Sequence, residues 1–363
     1  MKSKELNILH CIASLKGGGA EKQLCLLSAA LISKGCVVHV IILSRGVHYQ
    51  RLKNSGARIH EINATSNYDF KILFEIVKYI KTNHISIVQC WQRPMDFFGS
   101  LSAMIANVKY ITTERTSPNR YSKSFKGSIK YIFAQFAAAN VSNSELGMKY
   151  WKKHLWRNIP NVFIPNIIPF DELKNIQKDK IKVEKDIIIV VGRLSPEKNH
   201  MLIVRALFKF LTDNSNLEMH FVGEGVEYEL LLKEIMALGL QFKIKLIGYS
   251  SDVLRLINNS KIFISMSLYE GMPNAVFEAA GLKIPMVLSD IPSHNNYFNN
   301  DSAYLVNSSS ELELTRCVSD LWSNYGAALL KSEKAFSSIK KYNADHVANK
   351  HIKVYQNILG NGR

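Results

Sequence analysis

The chain has 363 residues, of which 47% are apolar and 21% are charged. It is long enough for two domains that each bury a complete sheet, and its composition excludes an intrinsically disordered protein. No apolar run reaches the roughly 18 residues of a membrane-spanning helix. The formal net charge of +16 favours an anionic partner: a nucleic acid, an anionic membrane surface or a phosphorylated substrate.

The start of the chain and its cysteines indicate a cytosolic protein. Residues 1–7 carry charge but lead directly into a strand pattern, without the apolar region of a signal peptide. The five cysteines are odd in number, scattered along the chain and without metal-ligand spacing. We therefore expect reduced cysteines and a cytosolic location.

A glycine loop follows the first predicted strand. Residues 7–15 have a strand pattern, Gly17, Gly18 and Gly19 follow, and apolar residues then recur at helical spacing. Strand, glycine loop and helix in this order can bind a phosphate, although a plain tight turn is the structural alternative. The dinucleotide-binding fingerprint requires a third Gly, at position 22, and this chain has none there. Ser44-Arg45 also stands where an NAD site needs an acid for the ribose, so a nicotinamide cofactor is not expected.

The first half continues as a regular alternation of strands and helices. Extended patterns occupy residues 57–62, 85–90 and 109–113, and helical patterns occupy residues 70–82 and 96–106. This alternation predicts a doubly wound α/β domain.

Residues 120–157 combine basic and aromatic side chains and have almost no acids. Such a surface suits contact with an anionic membrane, with rings at the depth of the headgroups. An ordinary solvated face is an equal alternative, and RNA binding is a third that no recognised nucleic-acid module supports. The residues concerned are Arg120, Lys123, Lys126, Lys130, Lys149, Lys152, Lys153 and Arg157, interleaved with Tyr121, Phe125, Tyr131, Phe133, Trp151 and Trp156.

A second alternation of strands and helices fills most of the remaining chain. Residues 169–186 are polar and lysine-rich with no strong period, which predicts a linker. Strand and helix patterns then alternate from residue 187 to residue 288, and residues 311–359 have helical patterns only. Two doubly wound domains that face each other would form a cleft at the carboxyl ends of their strands, where such sheets bind ligands.

The most informative stretch is residues 267–281. A predicted buried strand at residues 262–266 leads through a loop with Gly and Pro into a helix, whose first N–H groups attract phosphate. Glu270 and Glu278 bracket the loop and the first turns of this helix. Carboxylates repel phosphate but accept hydrogen bonds from sugar hydroxyls, so the predicted ligand is a nucleotide sugar.

Two cations follow the first strand of the second domain. Arg193 stands at the predicted exit of this strand, and Lys198 at the start of the next helix. Two cations at one cleft edge can bind one anion. Together with Glu270 and Glu278 they predict a site with a phosphate end and a sugar end.

These motifs resemble those of glycosyltransferase family 4, whose members are retaining enzymes with the two-domain GT-B fold. The resemblance implies an N-terminal, acceptor-binding Rossmann-like domain at residues 1–168 and a C-terminal, nucleotide-sugar-binding one at residues 187–344, facing each other across a cleft. The final helix, at about residues 345–363, would cross back to the first domain. The matching segments are Gly18-Gly19-Ala20-Glu21, Gly192-Arg193-Leu194 with Lys198-Asn199, Val222-Gly223-Glu224-Gly225, and Glu270-Gly271-Met272-Pro273-Asn274 through Glu278-Ala279.

The resemblance also implies residue roles. Arg193 and Lys198 would neutralise the donor diphosphate, and Glu270 would contact the transferred sugar; these three are the predicted catalytic residues. Glu278 would accept from the ribose hydroxyls, and no metal or other cofactor is expected. Further donor-binding residues would be Gly18, Gly19, Gly248, Tyr249, Gly271, Met272, Pro273 and Asn274.

One departure from the family concerns the acceptor side. Many relatives have a histidine after the fourth strand of the first domain, and residues 88–94 contain none. Arg93 or the pair Glu114-Arg115 is predicted to fill this space. Retention by front-face attack needs no protein nucleophile, so activity is still expected.

The sequence thus predicts a retaining glycosyltransferase. It would move a sugar from a nucleoside diphosphate donor, most often UDP in this family, to a lipid-linked or saccharide acceptor. The expected context is bacterial surface polysaccharide, such as O-antigen or capsule, at the inner face of the cytoplasmic membrane, without nucleic acid as a partner. The alternatives are a nucleotide-sugar epimerase of the same fold and a non-catalytic nucleotide-sugar-binding subunit.

Overall fold

The computed structural model describes residues 6–115, 125–179 and 184–360, without the side chains of residues 125–129. The chain forms two compact units, Met1–Ile167 with Tyr342–Arg363 and Ile168–Lys341. Each unit is an open parallel sheet with helices, which confirms the predicted fold class of two doubly wound α/β domains. The five cysteines are free, as expected.

The first unit contains a seven-stranded parallel sheet in the order β3-β2-β1-β4-β5-β6-β7. The central strands are buried throughout, because helices cover both faces, and they consist mostly of Ile, Val, Leu and Cys. Its strands are β1 Asn7–Ile12, β2 Val37–Ile42, β3 Arg58–Glu61, β4 Ile87–Trp91, β5 Lys109–Glu114, β6 Ala139–Ser142 and β7 Asn161–Phe163. Its helices are α1 Gly19–Ser33, α2 Tyr49–Asn54, α3 Lys71–Thr82, α4 Met95–Ile105, α5 Phe125–Phe136, α6 Glu145–His154 and, from the end of the chain, α15 Ala344–Leu359.

The second unit contains a six-stranded parallel sheet in the order β10-β9-β8-β11-β12-β13. Its strands are β8 Asp186–Val191, β9 Leu217–Val222, β10 Ile244–Gly248, β11 Ile262–Ser265, β12 Met286–Ser289 and β13 Tyr304–Val306. Its helices are α7 Phe170–Lys178, α8 His200–Asp213, α9 Tyr228–Ala237, α10 Val253–Asn258, α11 Asn274–Gly281, α12 Pro292–Asn295, α13 Glu311–Ser323 and α14 Tyr325–Ile339.

The final helix, α15, belongs to the first unit, as the fold prediction requires. It packs against α1 with Val347, Ala348 and Val354 buried. The Tyr355 hydroxyl donates to Gln89 Oε1 of β4 at 2.5 Å. A buried hydrogen bond between elements so distant in sequence fixes the end of the chain to the middle of the first sheet.

We predicted a linker at residues 169–186, and this prediction is wrong for the residues of this range that the structure describes. Residues 170–178 form helix α7, and strand β8 already begins at Asp186. Leu173 of α7 is buried beside Gly281 of α11, and Asn258 Nδ2 donates to the Ile176 carbonyl at 3.1 Å. The helix was missed because it is short and mostly polar, and Leu173 is the one side chain that it buries.

Candidate active site

The predicted cations and Glu270 meet at one edge of the second sheet. Strands β8 and β11 are neighbours in this sheet, and the strand order reverses between them. Arg193 and Lys198 follow β8, and Glu270 follows β11, so all three lie at the carboxyl ends of these two strands. Open α/β sheets bind ligands at such a reversal point, because the loops on either side diverge and leave a crevice.

Lys198 and Glu270 form an ion pair. Lys198 Nζ donates to Glu270 Oε1, and the Ser267 hydroxyl donates to the same oxygen at 2.8 Å. The two charged side chains stay 21% and 14% exposed. Within the described parts of the chain, no residue donates a hydrogen bond to Glu270 Oε2, so this oxygen can accept one from a ligand.

The surroundings of Glu270 favour its charged form. Burial by itself raises the pKa of this carboxyl, but the charge and the hydrogen bond of Lys198, with smaller contributions from His294 and Ser267, outweigh burial and lower the pKa below its usual value. Glu270 is therefore an anion at neutral pH and acts as a hydrogen-bond acceptor.

The loop after β8 holds Lys198 in place. A short 3-10 turn, Pro196–Lys198, ends at Asn199, whose φ of 57° is left-handed and whose Nδ2 donates to the Ser308 carbonyl at 2.7 Å. The Lys198 side chain runs over Gly192, where an added Cβ would lie 3.3 Å from Lys198 Cε. The Leu268 amide donates to the Glu197 carbonyl at 2.8 Å, which ties this loop to the loop of Glu270.

Gly223 is required by close packing of two loop backbones. Its φ is 144°, and an added Cβ would overlap the Gly192 carbonyl. The Gly192 amide donates to the Val222 carbonyl at 3.0 Å. This contact places the loop after β9 directly against the loop that carries Arg193 and Lys198.

Three polar residues that the sequence analysis missed support Glu270 from β11 and β12. Besides Ser267, the Ser289 hydroxyl donates to the Ser267 carbonyl at 2.6 Å, and buried His294 Nδ1 donates to the Ser289 carbonyl at 2.8 Å. The sequence did contain a signal for the two serines, because Ser267 closely follows buried strand β11 and Ser289 ends buried strand β12. His294 follows β12 on the short helix α12.

The remaining predicted donor-binding residues of the second unit lie at the same sheet edge. Helix α11 begins at Asn274, with Pro273 as its N-cap, and Glu278 is buried in its second turn. Gly248 ends β10 with a φ of 75°, and Tyr249 beside it is exposed. Gly271 is half-buried and Met272 buried. Their contacts with a nucleotide sugar stay predictions.

Gly18 and Gly19 open helix α1 of the first unit. Gly18 is the N-cap with a φ of 154°, and an added Cβ would lie 2.6 Å from Glu21 Oε2. The glycine loop follows β1, next to β4, where the strand order of the first sheet reverses. Contact of this loop with a diphosphate stays a prediction.

The two predicted acceptor-side arginines have different surroundings. The Arg115 guanidinium lies 4.0 Å from the centre of the Trp91 ring, and its Nη1 donates to Asn166 Oδ1 at 2.7 Å. Burial lowers the pKa of Arg115 to about 9. Arg93 is exposed at the start of the loop between β4 and α4. Contact of either residue with an acceptor stays a prediction.

The basic and aromatic stretch divides into buried and exposed residues. The Lys130 side chain is 13% exposed and lies between the buried carboxylates of Glu114 and Asp96, and the Trp151 ring is buried with its N–H donating to Glu114 at 3.2 Å. Arg120, Tyr121 and Lys123 lie outside the described residues, as do the side chains of Phe125 and Lys126. Residues on the exposed side are Lys149, Lys152, Lys153, Trp156 and Arg157.

None of the helices in the described ranges combines the length and the apolar character that crossing a membrane requires. Among the same residues, no three His, Cys, Asp or Glu side chains are grouped so that they could hold a metal ion.

Two family models match adjoining parts of the chain. The model described as Glycosyltransferase Family 4 matches residues 17–172. The model described as Glycosyl transferases group 1 matches residues 171–343. The first match covers the glycine loop and the acceptor-side arginines, and the second covers the cations and both glutamates.

Two bacterial proteins and one solved structure are similar to most of the chain. The capsular polysaccharide biosynthesis glycosyltransferase CapH of Staphylococcus aureus is 27% identical over 354 residues, covering 92% of this chain and 93% of CapH. A Campylobacter jejuni 4-alpha-N-acetylgalactosaminyltransferase, named for N-acetylgalactosamine-N,N'-diacetylbacillosaminyl-diphospho-undecaprenol, is 25% identical, covering 77% of this chain and 79% of its own. Anabaena HepE, crystallised with UDP and glucose, superposes with a TM-score of 0.84 at 16% identity, covering 97% of this chain and 100% of HepE. At 16% identity, the similarity to HepE shows a shared fold and nothing more.

Proposed function

The chain belongs to glycosyltransferase family 4, and on that premise we propose that it moves a sugar from a UDP-linked donor to a lipid-linked saccharide with retention of anomeric configuration. The reaction would need no metal ion. The product would enter a bacterial surface polysaccharide, such as a capsule or an O-antigen.

One observation carries this proposal: the Lys198–Glu270 pair at the reversal point of the second sheet. A donor diphosphate at this edge would replace Glu270 as the partner of Lys198 and would also attract Arg193. Glu270 Oε2 would then accept from a hydroxyl of the transferred sugar. One ion pair thereby separates a phosphate end of the site from a sugar end.

Catalysis would consist mainly of charge stabilisation. As the bond between the anomeric carbon and the phosphate oxygen breaks, negative charge grows on the leaving UDP, and Lys198 and Arg193 would stabilise it in place of a metal ion. The acceptor hydroxyl would attack the same face of the sugar and give its proton to the leaving phosphate. No protein nucleophile takes part, which agrees with retention.

The similar proteins support the choice of donor and acceptor. HepE was crystallised with UDP and glucose, which supports UDP as the nucleotide. The Campylobacter enzyme is named for a diphospho-undecaprenol acceptor, which supports a lipid-linked acceptor here. CapH is a capsular polysaccharide biosynthesis enzyme, which supports the bacterial surface as the destination.

A lipid-linked acceptor requires the enzyme to work at a membrane surface. We place it at the inner face of the cytoplasmic membrane, held by exposed Lys149, Lys152, Lys153 and Arg157 beside Trp156. The test is co-sedimentation with anionic vesicles at low salt. Lys152→Gln with Lys153→Gln should weaken binding, and Lys209→Gln, at an exposed position of helix α8 in the second unit, should not.

The main experiment is a thermal-shift series with UDP and other nucleoside diphosphates. At about a hundred times its dissociation constant, UDP should stabilise the protein by about 2.7 kcal/mol. Lys198→Ala should abolish this shift, whereas the control Lys209→Ala should keep it. Absence of a shift with every nucleoside diphosphate would contradict the proposed function.

Product analysis tests the reaction itself. With an α-linked UDP-sugar and a lipid-linked acceptor, NMR of the product should show an α linkage, and transfer should continue in EDTA. A β-linked product would exclude retention. Loss of transfer in EDTA that Mg²⁺ or Mn²⁺ restores would exclude a metal-independent reaction.

A further inference from the structure

The first unit has an apolar cavity that the donor site does not use. It has a volume of about 220 Å³ and lies beside the loop between β4 and α4. One wall is formed by Tyr68 and Phe70, just before α3, and another by Pro94 and Phe97. The cavity therefore lies near the exit of β4, at the point where the strand order of the first sheet reverses.

Four of the eight residues that line this cavity are aromatic: Tyr68, Phe70, Phe97 and Phe98. The Phe70 ring meets the buried Phe98 ring edge to face, with 6.3 Å between their centres, and Phe97 lies 4.9 Å from Phe98. Phe70 itself is 65% exposed. Exposed rings around an apolar hollow are unfavourable in water, which indicates a site for an apolar ligand.

Besides Lys130, one exposed cation, Arg93, and one buried carboxylate, Asp96, line the cavity. Lys130 lines the cavity, but its Nζ lies 2.9 Å from Glu114 and 3.7 Å from Asp96, so its charge is already compensated. Arg93 also lines the cavity, is exposed, and forms no ion pair within the described parts of the chain. A guanidinium beside an apolar hollow matches a ligand with a hydrocarbon chain and a phosphate head.

We propose that this cavity binds the first part of the polyprenyl chain of the lipid-linked acceptor, with Arg93 on its phosphate. The inference rests on the proposed function, because it names the part of the acceptor that the first unit binds. A concave hollow holds one chain, unlike the exposed lysines of α6, which suit a flat membrane surface. The acceptor phosphate would thereby be fixed at the same sheet edge as the glycine loop.

The experiment measures binding of radiolabelled farnesyl diphosphate by equilibrium dialysis without detergent. Inorganic diphosphate should bind the wild-type protein at least about tenfold more weakly, because it lacks the chain. Phe70→Ser should weaken farnesyl diphosphate about tenfold or more, as expected for removal of a large apolar contact. Phe74→Ser is the matched control, since Phe74 lies one turn later on α3, is 71% exposed and does not line the cavity; binding should change less than twofold.

Arg93→Gln tests the phosphate contact separately. It should weaken farnesyl diphosphate about tenfold and leave farnesol binding unchanged, because only the diphosphate carries charge. Lys78→Gln, at another exposed cation on α3, should alter neither ligand. Equal losses in the Phe70 and Phe74 variants would overturn the proposal, as would an Arg93 variant that binds farnesyl diphosphate like the wild type.

The UDP thermal shift, measured on the same proteins, distinguishes the two proposals. A UDP shift without farnesyl diphosphate binding overturns the cavity proposal alone. Farnesyl diphosphate binding without any nucleotide shift supports the cavity and contradicts the proposed transfer reaction. An unchanged UDP shift in the Phe70 and Arg93 variants would show that both are folded.

Discussion

The two sheets place charged residues at the exits of their central strands and use them in opposite ways. In the second unit the Lys198–Glu270 pair is partly exposed, so a ligand can replace one partner. In the first unit Lys130 and Glu114 are 13% and 1% exposed, and Arg115 is covered by Trp91. Separating a buried pair leaves an uncompensated charge, which costs several kcal/mol. The second sheet edge is therefore suited to a charged ligand, whereas the buried charges of the first sheet edge hold its own loops and leave exposed Arg93 for a ligand.

The largest effect should come from breaking the buried pair. Glu114→Ala should lower the free energy of unfolding by about 3 to 5 kcal/mol, because Lys130 stays buried without its 2.9 Å partner. Urea unfolding followed by tryptophan fluorescence reports mainly on the first unit, which holds Trp91, Trp151 and Trp156. Glu75→Ala, at a half-exposed contact with His60, should cost less than about 1 kcal/mol. If both variants lost the same unfolding free energy, the contrast between the buried Lys130–Glu114 pair and a half-exposed pair would be refuted.

A substitution in the partly exposed Lys198–Glu270 pair should change ligand binding and transfer and leave stability nearly unchanged. Glu270→Gln frees the Lys198 charge, so UDP should bind more tightly, while transfer slows about tenfold or more because a neutral amide is a weaker acceptor for the sugar hydroxyl. Calorimetric titration with UDP and initial rates of transfer measure the two effects. Weaker UDP binding in this variant would show that Glu270 does not compete with the diphosphate for Lys198.

The second unit was more predictable from the sequence than the first. Arg193, Lys198 and Glu270 could be brought together because each lies in the loop after a strand that the apolar pattern marks clearly. A loop that follows a parallel strand lies at the carboxyl edge of the sheet. Once the strands are predicted, the residues of such a loop can therefore be placed at that edge without further information. The hydrogen bond between Lys198 and Glu270 itself, and the support from His294, depend on side-chain packing that the pattern does not contain.

The first unit was less predictable because its charges point inward. Lys130 stands in a run of basic residues that looked like one exposed surface, and only its contacts with Asp96 and Glu114 show that its charge is paired with two buried carboxylates. Tyr355 and Gln89 are 266 positions apart, and no local signal relates them. The cavity formed by the segment before α3, the loop before α4, and helices α4 and α5 likewise depends on how these elements pack, which periodicity does not determine.

The interior of the first unit should also make the protein sensitive to acid. Burial, helped by the Arg115 charge, lowers the pKa of His10 from its usual 6.5 to about 3. Below pH 6.5 the unfolded chain binds a proton that folded His10 does not, so stability falls from pH 6.5 down to about pH 3. His10→Asn should reduce the loss of unfolding free energy between pH 7.5 and pH 5 by about 2 kcal/mol.

Asparagine suits this test because its side-chain oxygen can still accept the hydrogen bond that Trp91 Nε1 donates to His10 Nδ1 at 3.1 Å. The control His346→Gln removes an exposed histidine of α15 and should leave the pH dependence unchanged. If both variants lose stability in acid as steeply as the wild type, the buried His10 is not a source of the acid sensitivity.

The smallest effect should come from the hydrogen bond that orients Glu270. Ser267→Ala removes the donor 2.8 Å from Oε1 and leaves the ion pair with Lys198 intact. A hydrogen bond to a partly exposed charged group contributes about 1 kcal/mol, so transfer should slow about fivefold while UDP affinity stays within twofold. The kinetic measurement is the turnover rate at saturating donor. Ser289→Ala, one hydrogen bond further away on β12, should have a smaller effect still, because the Ser289 hydroxyl contacts the Ser267 carbonyl and His294 and not Glu270 itself. A larger effect at Ser289 than at Ser267 would mean that β12 contacts the substrates directly, and the site would then extend across three strands of the second sheet.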